Sequence, residues 1–112
     1  MMQKLQVLKK LEDWLFIIQP SLANFPKSVR FSLAQKIENT SLECIDLVIS
    51  ANLDKPRRAD HLLKARVSTE RLQILVRIAH QRSFIDLRHY ELFSERITEI
   101  SKMLTGWARA KT

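Results

Sequence analysis

Glycine, proline and cysteine are the residues this chain nearly does without. It holds one Gly and three Pro in 112 residues. Sandwiches and barrels need many turns, and turns draw on Gly, Pro, Asn and Asp, so an all-β fold is nearly excluded. A Gly-rich phosphate loop of either standard kind is excluded with it. The lone Cys44 rules out an internal disulfide and any zinc site built on several thiolates. It reads as a small core residue of a protein kept in a reducing, cytoplasmic environment. Long apolar runs are also missing. Basic residues precede an apolar stretch near the N-terminus, but Glu12 and Asp13 interrupt it and Trp14 to Ile18 spans only five residues. A membrane span needs about 20, so no membrane partner is expected.

Catalytic constellations are missing as well. His61, His80 and His89 do not pair at i, i+4 spacing, and no Glu-x-x-His pair offers the ligands of a di-iron carboxylate site. Glu91, Glu95 and Glu99 form a carboxylate row at helical spacing, with Arg96 and Lys102 close by. That pattern reads as a solvated face with an i, i+3 pair from Glu99 to Lys102. Cys44 and the serines have no His near them in sequence to act as a base. Neither enzymatic activity nor a metal, a cofactor or a small-molecule substrate is expected.

What is present is helical periodicity. Hydrophobic residues make up 46% of the chain and charged residues 28%, ordinary values for one globular domain over residues 1–112. Punctuation divides it into four stretches at about 3–24, 29–53, 56–82 and 86–108. In the first, Leu8, Leu11, Leu15, Ile18 and Leu22 share a face, and Pro20 predicts a kink or an early stop. Ser28 is a plausible N-cap for the second, where Ala34, Ile37, Ser41, Cys44 and Val48 form one stripe and Leu42, Ile45 and Ile49 widen it. Asp54 can cap the third, with Pro56 in its first turn. In the fourth, Tyr90, Phe93, Ile97, Ile100, Leu104 and Trp107 repeat at heptad spacing, and Gly106 marks close packing or fraying. Four helices of similar length with short connections predict an all-α, antiparallel up-down-up-down four-helix bundle.

The third stretch carries more apolar surface than one bundle core needs. Ala65, Leu72, Leu75, Val76 and Ala79 occupy one sector of its wheel, and Leu63, Val67, Ile74 and Ile78 a second. Arg57, Lys64, Arg71 and Arg82 lie between them, while Arg66, Glu70, Gln73 and Arg77 fill the outer, polar sector. Leu63, Val67, Ile74 and Ile78 are therefore the expected oligomer interface. Charge concentrates in the same region. Nineteen Lys and Arg against twelve Asp and Glu give a net charge of +7. From Lys55 to Arg88 there are nine basic residues and three acids. Arg57, Arg58, Lys64, Arg66, Arg71, Arg77 and Arg82 are the leading candidates for contact with phosphate, and Lys27, Arg30 and Lys36 form a second group. The aromatic residues mostly fit core stripes, and no base-stacking platform of the RRM or OB kind is visible.

Three segments together carry a resemblance. Phe25-Pro26-Lys27-Ser28-Val29-Arg30-Phe31-Ser32-Leu33, continuing through Gln35-Lys36-Ile37-Glu38-Asn39-Thr40, is the first. Leu72-Gln73-Ile74-Leu75-Val76-Arg77-Ile78-Ala79 is the second. Tyr90 to Ile100, followed by Met103-Leu104-Thr105-Gly106-Trp107, is the third. Their order and spacing resemble the Avd proteins, the accessory variability determinants of diversity-generating retroelements, over roughly residues 10–108. Thr105 stands where a second glycine is expected. The resemblance implies a four-helix bundle that assembles into a homopentameric barrel. It also implies a non-catalytic protein that partners a reverse transcriptase and its template RNA, or an RNA/DNA hybrid, in adenine-mutagenic cDNA synthesis. Two other readings fit the same residues: a bundle of the kind encoded by intervening sequences in ribosomal RNA genes, and an oligomerisation module without nucleic acid.

Overall fold

The structure is a computed structural model that describes residues 2–110, with side chains described for residues 4–110. It contains four long helices, α1 (Met2–Ala23), α2 (Gln35–Leu53), α3 (Arg58–Gln81) and α4 (Leu87–Arg109), and no strand among the described residues. Each helix packs against its neighbours in the chain, and α1 also packs against α4, so the four enclose one core. The bundle measures 44 × 24 × 19 Å.

The α4 heptad is the clearest determinant of that core. Phe93, Ile97, Ile100, Leu104 and Trp107 are all buried. Against them α1 sets Val7, Leu11, Trp14, Ile18 and Leu22, with Leu8 and Leu15 half-buried beside them. Trp14 is where three helices meet. Its ring stands edge-on to Phe93 of α4, with centroids 5.6 Å apart. Its indole Nε1–H donates to Ser41 Oγ of α2 at 2.8 Å, and the Ser41 hydroxyl donates to the Ile37 carbonyl at 2.8 Å. A buried indole N–H is tolerated only with an acceptor, and Ser41 supplies it inside an otherwise apolar stripe.

Small residues bring α2 and α3 together. Cys44, Ala65, Ser68, Thr69 and Ala79 are buried, and the Cys44 thiol points at the Ala65 carbonyl at 3.8 Å. Burial pushes that thiol up to about 12, so it stays protonated and unreactive at neutral pH.

Several local expectations are corrected. α1 does not stop at Pro20 but runs on to Ala23. Pro20 is exposed and close to the helix end, where a missing N–H costs only one late hydrogen bond. Ser28 caps nothing; a 3₁₀ turn (Lys27–Val29) and a π-helical turn (Arg30–Ala34) lead into α2 instead. Asp54 makes no capping hydrogen bond, although Pro56 does fall in the first turn of a 3₁₀ segment (Lys55–Arg57). Leu42 and Ile49 do not widen the core stripe; they are 44% and 41% exposed. Around Gly106 a Cβ would meet nothing within 4 Å, so neither close packing nor fraying accounts for it, and α4 continues to Arg109.

Ser41→Ala leaves the Trp14 indole without an acceptor in the core. It should lower unfolding free energy by about 1–3 kcal/mol in urea titration, with the slope unchanged. A loss under about 0.5 kcal/mol would show that the indole bond contributes little to stability.

Candidate nucleic-acid interface

The inward face of α3 runs through Leu62, Ala65, Ser68, Thr69, Leu72, Val76 and Ala79, all buried. At 100° per residue, the opposite side of the helix holds Leu63, Val67, Ile74 and Ile78. Leu63, Val67 and Ile74 are each about half exposed, at 56%, 49% and 52%, and Ile78 is half-buried. The second apolar sector is therefore the outermost surface of the helix. Of the sector read as outer and polar, Glu70 and Arg77 are exposed and Arg66 half-buried, whereas Gln73 turns toward α4. There its amide donates to the Ser94 carbonyl at 3.0 Å and to Thr98 Oγ1 at 2.9 Å, and its carbonyl accepts from Ser94 Oγ at 3.0 Å.

Cations border the apolar row on both sides. Lys64, Arg71 and Arg82 lie along one edge, and Arg66 and Arg77 along the other, at the angular positions their spacing dictates. Lys64, Arg71, Arg77 and Arg82 are exposed and Arg66 is half-buried. Lys64 pairs loosely with Asp60 at 3.2 Å, one turn away, with both side chains more than half exposed. Such a pair is weak and leaves the ammonium available to a phosphate. No ion pair holds Arg66, Arg71, Arg77 or Arg82 among the described residues.

The N-terminal end of α3 divides its two arginines. Arg57 is exposed and lies 3.6 Å from Asp54. Arg58 is turned inward. Its Nε donates to the Ala51 carbonyl at 2.7 Å, a terminal nitrogen donates to the Asn52 carbonyl at 3.3 Å, and its guanidinium sits over the Trp107 ring at 5.8 Å. It satisfies carbonyls in the last turn of α2 that the helix leaves open. The structure thus gives this candidate an intramolecular role. Asp54 also accepts from His61 Nε2 at 2.9 Å; that bond, aided by the charge of Arg57, holds its carboxyl below the usual 3.8.

The second basic group is brought partly into reach of the first. Lys36 and Arg82 share the mouth of an apolar cleft of about 500 Å³ walled by Val29, Leu33, Leu75, Ile78 and Phe84. Lys27 and Arg30 are exposed on the turns before α2. Most of the aromatic residues pack inward as expected, but Phe16 and Phe31 do not, and each is 81% exposed. Phe31 lies outside the Ala34–Ile37–Ser41 stripe on a helical wheel, a signal that was present in the sequence.

Each histidine has an intramolecular partner. His80 Nδ1 lies 2.9 Å from the Ile85 carbonyl, and its ring stacks on Tyr90 at 4.6 Å. The His89 backbone N–H donates to Asp86, the N-cap of α4, and this bond above all lowers the Asp86 carboxyl. Glu91, Glu95 and Glu99 are exposed, and Glu99 pairs with Lys10 of α1 at 2.9 Å rather than with Lys102. Among the described residues no group of three or more His, Cys, Asp or Glu could hold a metal, and no helix is long and apolar enough to cross a membrane.

Fold and site define a small all-α, four-helix protein whose third helix displays apolar and cationic residues side by side. A family model described as bAvd-like matches residues 3–111, and the chain belongs to that family. Comparisons with curated proteins and with solved structures returned no match.

Proposed function

We propose that the chain is the non-catalytic accessory protein of a diversity-generating retroelement. In this reading it binds the element's reverse transcriptase and template RNA, or the RNA/DNA hybrid, and supports mutagenic cDNA synthesis. The observation that carries the proposal is the exposed cationic border of α3 in a chain of the bAvd-like family. Arginine suits bidentate phosphate contact, and a run of such contacts on one face gives tight but largely sequence-blind binding. Arg57, Lys64, Arg71, Arg77 and Arg82 are the leading contacts, with Arg66 at the edge and Lys27, Arg30 and Lys36 extending the surface.

The helices run up-down-up-down in this account. Cross-helix partners support it. Gln19 bonds Glu38 while Trp14 bonds Ser41, and His80 stacks on Tyr90 while Gln73 bonds Ser94. In both pairs of helices, numbers fall on one side as they rise on the other.

The assembly is a homopentameric ring. One chain exposes two different apolar surfaces: Leu63, Val67 and Ile74 on α3, and Leu5, Phe16, Leu42, Ile49 and Leu53 on α1 and α2. Two unlike faces that cover each other make a head-to-tail contact, which closes into a ring where the rotation between subunits allows it. Burying the apolar row would leave its arginines on the rim, where interfaces keep polar groups. Localisation in the cytoplasm follows from the role.

Replacing Arg57, Lys64, Arg71 and Arg82 together with Gln should weaken binding to a structured RNA at least tenfold at about 100 mM salt, with the helical circular-dichroism signal unchanged. The wild-type affinity should fall steeply between about 50 and 200 mM salt and that of the variant less so. Equal affinities would remove this row from the interface. Light scattering should give a mass near 65 kDa for a ring of 13.1 kDa chains. A monomer at micromolar concentration would contradict the ring.

A further inference from the structure

Phe31 sits in an uncommon place. It belongs to the π-helical turn between α1 and α2, and its own backbone departs from helical geometry, at φ −98° and ψ 16°. The chain kinks at this residue, just before α2 begins. The kinked turn holds a phenyl ring 81% in solvent. Burying such a ring returns substantial free energy to any partner that covers it.

The segment that carries the ring is cationic in sequence. No acidic residue occurs between Asp13 and Glu38, while Lys27, Arg30 and Lys36 fall within ten residues. All three are exposed, and none is held in an ion pair among the described residues. This separates Phe31 from the exposed apolar residues of mid-α2, Leu42 and Ile49, which have Glu43 and Asp46 as neighbours in the sequence.

Phe31 also lines a cleft. With Arg30 it forms one wall of a space of about 320 Å³; Gln19, Leu22 and Ala23 of α1 and Ala34, Gln35 and Glu38 complete it. At the polar end of the cleft, the Gln19 amide donates to the Glu38 carboxylate at 3.2 Å. That carboxylate repels a phosphate but accepts a hydrogen bond from an exocyclic amino group. A cleft lined by an aromatic face, amides, a hydrogen-bond acceptor and the Arg30 guanidinium matches a polyanion that carries flat, polar rings. Stacking of a base on such a ring is tolerant of sequence and needs an unpaired strand.

We propose that Phe31 is a base-stacking residue for single-stranded nucleic acid: an unpaired base enters the cleft against the phenyl ring while the flanking phosphates lie on Lys27 and Arg30. This rests on the nucleic-acid-binding reading above and adds to it a preference for unpaired strands, which the cations of α3 alone would not confer.

The test is fluorescence anisotropy with a short unstructured RNA and with a blunt RNA duplex, each labelled, on wild type, Phe31→Leu and Phe31→Trp. Leu keeps most of the apolar bulk and removes the π face. Phe31→Leu should weaken single-strand binding by roughly 5- to 100-fold, leave the salt slope and duplex affinity unchanged, and keep the oligomeric mass and the melting temperature. Phe31→Trp should restore or exceed wild-type binding. A 2-aminopurine base in the single strand should be quenched by wild type and not by Phe31→Leu. Equal single-strand affinity for wild type and Phe31→Leu overturns the stacking role while leaving the proposed function standing. No RNA binding by wild type overturns both. A changed mass for Phe31→Leu assigns the ring to a protein interface and overturns stacking.

Discussion

The buried indole of Trp14 is the constraint on which the arrangement of the bundle depends. It must bury a large ring and also find an acceptor for one N–H, and the bundle meets both demands at one point. Ser41 on α2 takes the hydrogen bond, and Phe93 on α4 takes the ring edge. Three helices are thereby fixed in register about a single side chain. The fourth, α3, closes the remaining side by offering small residues, Ala65, Ser68, Thr69 and Ala79, to α2 and to the core.

That division of labour explains the surface of α3. A helix that seats itself with small residues has little need of large ones on its inner side beyond Leu62, Leu72 and Val76. Leu63, Val67 and Ile74 then face outward and cannot serve the monomer's core. Arginines and Lys64 on both borders keep this surface soluble and give it a positive field. One helix thus carries an exposed apolar row and cationic borders side by side.

Legibility in the sequence varied with how many demands a residue answers. The α4 heptad was readable in full because one periodicity serves one core, and only Tyr90 at its start is less than buried. The Ala34–Ile37–Ser41–Cys44–Val48 stripe of α2 was equally readable. Arg58 was read as surface charge because sequence does not tell a solvent-facing arginine from one folded back on the carbonyls of the preceding helix. Gln73 was placed outside because its partners, Ser94 and Thr98, are more than twenty residues away. The irregular turn before α2 was hidden because helical-wheel arguments assume one register throughout, whereas the exposure of Phe31 was readable from its place outside the α2 stripe. Family membership, by contrast, depends on order and spacing of whole segments, and local shifts of this kind leave it readable.

The central claim is that this chain works beside a reverse transcriptase on its RNA. The most direct measurement is affinity capture of the intact protein from its native cells at moderate salt, with proteins read by mass spectrometry and bound RNA by sequencing. The account predicts recovery of one reverse transcriptase together with one short noncoding RNA. Recovery of ribosomal RNA without a polymerase, or of neither partner, would contradict it.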